Sequence, residues 1–192
     1  MGGDAMADLN DVHRRVLDAT GRLVAGVSDT QWGDPTPCEG WDVKGLTNHI
    51  VAGNYWAAEL AAGKTIEEVG SALDGDLLGS DAAAAYNKSA EAAAAAFAAP
   101  GALDAPCAVS YGPVPGSVYA GHRIIDVFIH GWDLATATGQ DTTLDPELVA
   151  ACIDIVEPQR GMLEASGAFA PAHDVSDDAD PQTKLLAWLG RG

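Results

Sequence analysis

The chain has 192 residues, 47% of them hydrophobic, which is enough for one domain with a full core. Its 28 acidic and 10 basic side chains leave a formal net charge of −18. That excludes the basic surface a nucleic-acid partner needs, and it disfavours docking on an anionic membrane.

Three cysteines, Cys38, Cys107 and Cys152, form no CxxC pair. Neither a disulfide framework nor a cysteine-rich zinc site is expected, and a reducing, cytoplasmic setting fits best. Residues 1–10 lack a basic and apolar leader. The most apolar long tract, Ala82 to Ala99, is interrupted by Asn87, Lys88 and Glu91 and is too polar to span a bilayer. Alanine dominates and β-branched residues are few, so the expected elements are helices.

In chain order, Leu9, Val12, Val16, Leu23 and Val27 recur at helical spacing and predict a first helix over Asp8–Ser28. Gly33, Pro35, Pro37 and Gly40 break the pattern over 29–41. Asp42 reads as an N-cap for a second helix from Val43 to about Ala62, closed by Gly63. Residues 63–79 form a mixed connection. Ser80 or Asp81 caps an Ala-rich helix to Ala99, which Pro100 and Gly101 end. The Pro- and Gly-rich segment 101–116 reads as a loop, with an extended piece at Cys107–Tyr111. A fourth long helix is expected over Ser117–Thr138, ending at Gly139. Asp145 and Pro146 open a fifth, which Pro158 kinks or ends. Residues 167–180 are a polar, acidic loop, and Asp180 and Pro181 cap a last helix over Gln182–Leu189. The pattern predicts an all-α fold, a four-helix bundle with additional short helices and long connections. All of 1–192 is expected in one domain, with 1–7 flexible.

On the fourth long helix, Tyr119, His122, Asp126, His130, Asp133 and Ala137 fall in one stripe at about 100° per residue. The remaining circumference is apolar. Taken alone, the stripe reads as a solvated face, with Arg123 and Asp133 as surface charges. The second helix offers His49 at the edge of its own core stripe of Val43, Leu46, Ile50, Gly53, Ala57 and Leu60. Residues four apart on a helix have β-carbons about 5–6 Å apart, so Asp126 and His130 can converge on one ion. With His49 they make a three-ligand set that leaves room for water or substrate. Two histidines and a carboxylate suit zinc, and also iron(II) or nickel.

The segment TPCEGWDVKGLTNHIVAGN (36–54) resembles the N-terminal signature of the mycothiol-dependent maleylpyruvate isomerase-like metal-binding family, within the DinB/YfiT-like helical bundles. RIIDVFIHGWDLATATGQ (123–140) resembles its second signature, and DPQTKLLAWLGRG (180–192) resembles the ending of one short branch. The resemblance implies a divalent metal, zinc first, on His49, Asp126 and His130, and mycothiol as a thiol cosubstrate. The isomerase branch carries glutamate where this chain has the shorter Asp126, and it has a further C-terminal domain.

The function expected is a metal-dependent thiol S-transferase or isomerase acting on a small electrophile. A non-catalytic metal-binding module and a hydrolase using bound water are the alternatives. His122 is a candidate base or extra ligand, Arg123 a candidate anchor for a substrate carboxylate, and Trp41, Trp56 and Trp132 candidate pocket walls. Cys38, just before the second helix, reads as a structural thiol, with a reactive thiol as the alternative. The expected partners are the thiol and the electrophile, with neither nucleic acid nor membrane, and the chain is expected as a monomer or homodimer.

Overall fold

The computed structural model describes residues 8–166 and 169–192. The expected flexibility of residues 1–7 and two positions of the 167–180 loop lie outside them. The fold has two compact units, Met1–Gln140 and Asp141–Gly192.

Four long helices make the first unit: α1 (Leu9–Ala25), α2 (Val43–Ala61), α4 (Ala82–Ala98) and α5 (Gly116–Thr138). They form a ring in which α1 packs on α4 and α5, and α2 packs on those same two helices. The caps are those the sequence offers. Asp8, Asp42 and Asp81 each accept a backbone N–H in the first turn of their helix. Gly139 ends α5 in the left-handed conformation (φ 68°) that a side chain would resist.

The buried face of α1 is broader than the expected stripe. Val12, Val16 and Val24 are buried together with His13, Leu17 and Thr20, whereas Leu9, Leu23 and Val27 are only half-buried. Alanines let α4 approach closely, and it buries Tyr86, Ala90, Ala93, Ala94 and Phe97. Tyr86 donates its hydroxyl to the Leu17 carbonyl at 2.9 Å, tying α4 to α1.

Two short elements went unpredicted or half-predicted. In the 63–79 connection, α3 (Ile66–Val69) is a single turn fixed by a capping box between Thr65 and Glu68. The expected extended piece is a two-stranded hairpin, β1 (Pro106–Val109) and β2 (Gly112–Pro115), in antiparallel register Cys107↔Val114.

In the second unit, α6 (Pro146–Val156) is capped by Asp145 with Pro146 in its first turn. Pro158 forces a 3-10 turn over Glu157–Gln159 before α7 (Arg160–Ser166). Asp180 caps α8 (Pro181–Trp188), which packs on α6. Gln182 joins this unit's opening segment to α8 by accepting from Leu144 N and donating to Thr142 O, both at 2.9 Å.

Candidate metal centre

Helices α2 and α5 pack side by side, and that contact places His49 opposite Asp126 and His130. One donor atom from each of the three lies within 4.8 Å of the others. His49 Nε2 stands 3.5 Å from Asp126 Oδ1, and His130 Nε2 stands 3.6 Å from the same oxygen. The first is a long hydrogen bond and the second lies beyond hydrogen-bond range. They do match ligands around one ion: donors at about 2.0–2.2 Å in a tetrahedral shell sit roughly 3.3–3.6 Å apart. The donor set therefore fits a divalent cation.

The surroundings position the candidate ligands. His130 is nearly buried, and its Nδ1 lies 2.9 Å from Asp133 Oδ2. A proton on Nδ1 donated to that carboxylate leaves the Nε2 lone pair turned toward Asp126. The indole of Trp41 stacks on His49 with centroids 4.5 Å apart and meets His130 edge-on at 5.9 Å. It covers the two imidazoles from the loop that precedes α2.

Asp126 answers the cost of placing a carboxylate in an apolar segment. Burial alone would raise its carboxyl. The Arg123 guanidinium, a hydrogen bond from His49, and the nearby charges of His130 and His49 outweigh burial and hold it well below the usual carboxylate range. Arg123 Nη1 donates to Asp126 Oδ2 at 2.9 Å.

Two expectations for α5 are corrected here. Arg123 and Asp133 are not surface charges: Arg123 is 7% exposed and Asp133 is fully buried at 0%. The reason is that α5 is buried on nearly its whole circumference, so its polar stripe has to be satisfied inside the protein. Asp133 uses His130 and a third residue, Cys38, whose Sγ donates to Asp133 Oδ2 at 3.0 Å. The Cys38 thiol also lies 3.6 Å from His130 Nδ1. Cys38, His130 and Asp133 thus form a second donor group. Its close contacts are hydrogen bonds that already occupy the donors, so it braces His130 on the side away from Asp126.

The loop geometry explains how Cys38 arrives there. An isolated bridge pairs Pro35 with Asp42, and Thr36 Oγ1 binds the Trp41 carbonyl at 2.8 Å and accepts from Cys38 N at 3.2 Å. One tight loop therefore aims both Cys38 and Trp41 at the site. Sequence reasoning gave Asp133 no role in the site. The readable signal was the i, i+3 spacing of His130 and Asp133, which puts both on one face of the helix.

The other candidates fall elsewhere. His122 is not in either donor group: its Nδ1 is 2.6 Å from the Tyr111 hydroxyl, on the turn of the hairpin. Trp56 packs against the apolar cluster of Ala57, Leu60, Phe97 and Tyr119. Arg123 is committed to Asp126 and to Asn54, whose Oδ1 accepts from Nη2 at 3.3 Å.

Comparison with known proteins agrees on the fold and supplies a family. The family model described as the mycothiol maleylpyruvate isomerase N-terminal domain matches residues 13–135. Two uncharacterized proteins of Mycobacterium tuberculosis, from strains CDC 1551 / Oshkosh and H37Rv, are each 39% identical over 184 residues, covering 93% of this chain and 95% of theirs. The crystal structure of a mycothiol-dependent maleylpyruvate isomerase superposes with a TM-score of 0.70 at 16% identity, over 96% of this chain and 88% of that one. A histidine-to-alanine mutant of a mycothiol-dependent maleylpyruvate isomerase gives the same score at 15% identity. No described helix is long and apolar enough to cross a membrane.

Proposed function

The chain belongs to the mycothiol maleylpyruvate isomerase N-terminal domain family, and from that premise we propose that it is a divalent-metal-dependent enzyme using a low-molecular-weight thiol. His49, Asp126 and His130 hold the cation, zinc in the first instance, with nickel or iron as alternatives. Mycothiol is the proposed thiol, and the second substrate is a small electrophile. The observation that carries the reading is the convergence of three donors at 3.5 and 3.6 Å around a shared oxygen, with His130 already oriented by Asp133.

A bound cation supplies positive charge beside the thiol and so favours its reactive thiolate form at neutral pH. Asp133 pairs with His130 Nδ1 and so orients the ring with Nε2 toward the cation. Arg123 offsets the Asp126 charge, and Trp41 shields the imidazoles from bulk water on one side. The thiolate sulfur then adds to one carbon of a C=C bond conjugated to a carbonyl, and the π electrons of that bond move onto the carbonyl oxygen. In transfer the proton released by the thiol is returned to the neighbouring carbon and the C–S bond is kept; in isomerisation the former double bond rotates, the electrons return to re-form it, the C–S bond breaks and the thiol is regenerated.

The enzyme reading is favoured over a structural metal module by the ligand count. Among the described residues the donor group has three members, and His122, the candidate for a fourth, is engaged with Tyr111. Three protein ligands leave a position for substrate, whereas closed structural sites use four. With no CxxC pair among the cysteines, and Cys38, Cys107 and Cys152 not disulfide-bonded, a reducing cytoplasmic setting suits a thiol-dependent reaction.

The test is a thermal-shift series with metal alone and then metal plus mycothiol. About one metal per chain is expected, with further stabilisation by mycothiol only in the loaded form and loss of both in His130→Ala. Stabilisation by metal with no response to thiol would point to a hydrolase or a non-catalytic module. Absence of metal uptake would end the reading.

A further inference from the structure

Arg123 reaches Asp126 from inside the bundle, and its path is built by other residues. Its side chain is only 8% exposed. One terminal nitrogen binds Asp126 Oδ2 at 2.9 Å and the other binds Asn54 Oδ1 at 3.3 Å. Asn54, fully buried, donates to Ser89 Oγ at 3.1 Å, and Ser89 donates to the Tyr86 carbonyl at 2.8 Å. The guanidinium also needs a glycine. A β-carbon at Gly53 would lie 2.4 Å from Nη1, 2.6 Å from Nη2 and 2.7 Å from Cζ. A slot, two anchors and a buried relay thus converge on one carboxylate oxygen, Oδ2. The other oxygen, Oδ1, is the one that faces His49 and His130.

We propose that Arg123 is a positioning residue that reserves Asp126 Oδ2, so that the carboxylate offers the cation one oxygen only. The proposal rests on the metal-site reading above. An aspartate with both oxygens unoccupied can chelate an ion through the pair, which would take up the coordination position the thiol needs. Arginine suits the task because its rigid fork holds Oδ2 and Asn54 together, fixing the carboxylate plane as well as its charge.

Cobalt(II) is the probe, because four-coordinate cobalt absorbs visible light more strongly than five- or six-coordinate cobalt. Wild type, Arg123→Met and Gly53→Ala are loaded with cobalt(II), and affinity is read by chelator competition. The expected result is the intense four-coordinate spectrum for wild type. Both variants should show a weaker spectrum and a 10- to 100-fold loss of affinity, the range usual for groups that orient a ligand. Arg123→Met leaves Asp126 and Asn54 unpaired and can unfold. In that event Gly53→Ala carries the test alone, since alanine is the better helix former and the arginine is intact but displaced. Folded variants with wild-type affinity and an unchanged spectrum would overturn the role of Arg123. Wild-type protein that takes up no cobalt would overturn the metal site itself, a distinct result.

Discussion

Asp133 is a carboxylate with no solvent exposure whose Oδ2 serves two partners, the Cys38 thiol and His130 Nδ1. It reaches the proposed cation site through His130, so its effect there should be one of orientation. Asp133→Asn keeps the shape and an acceptor oxygen but removes the charge that fixes the proton on Nδ1. Zinc affinity measured by calorimetric titration should fall 10- to 100-fold, with the helical circular dichroism preserved. Unchanged affinity would reduce Asp133 to a buried polar group of the core. At this scale the sequence was informative wherever the geometry is local. Asp126 and His130 lie four apart on one helix, and helical spacing alone brings them together. Cys38 and Asp133 are 95 residues apart. Their meeting depends on the loop pinned by the Pro35–Asp42 bridge, whose path no periodicity describes.

The crossing of α1 and α5 shows the same limit for elements. A β-carbon at Gly131 would stand 2.6 Å from Thr20 Oγ1 and 3.4 Å from Thr20 Cβ. Thr20 in turn donates its hydroxyl to the Val127 carbonyl at 3.1 Å, so the helices meet through a small residue and a satisfied side chain. Gly131→Ala gains at most about 1 kcal/mol of helix propensity. It should lose about 1–3 kcal/mol by forcing Thr20 away. A net loss of stability in urea unfolding is expected, and Thr20→Ala in the same chain should restore part of it; additive effects would refute the contact. One end of each of three long helices was legible because it carries its own cap, Asp42, Asp81 or Gly139, whereas α1 stops at Ala25, short of the expected Ser28. The turn α3 was not, because four residues are too few to show a period, although the Thr65–Glu68 capping box was there to be read. The hairpin was seen as one strand because Pro113 and Pro115 make β2 look like loop. Both sit in a two-stranded ribbon, where each strand is an edge and proline is tolerated.

The whole molecule adds a pH response that no motif announces. His13 is 1% exposed in the bundle, edge-on to the Phe97 ring at 5.3 Å, and its Nε2 has no hydrogen-bond partner. Burial, with the charges of Arg123 and Arg14 adding to it, pushes its pKa down from the usual 6.5 to about 3. The unfolded chain therefore takes up this proton near pH 6.5 while the folded chain refuses it. Stability is intact above that pH and is lost as pH falls from 6.5 toward 3, by about 2 kcal/mol at pH 5 for this one group. The net charge of −18 works in the opposite sense, since acid relieves the mutual repulsion of the carboxylates. A wild-type pH curve alone would mix the two effects, and the variant His13→Met separates them. It removes the titrating group and the unsatisfied Nε2 while filling the same space. Urea midpoints at pH 7.5 and pH 5 should show the variant at least as stable as wild type at the higher pH. At the lower pH its advantage should grow by about 2 kcal/mol, the linkage of the missing proton. Parallel decline of the two proteins would mean that His13 accepts its proton in the folded bundle, and that the bundle opens locally to let it in.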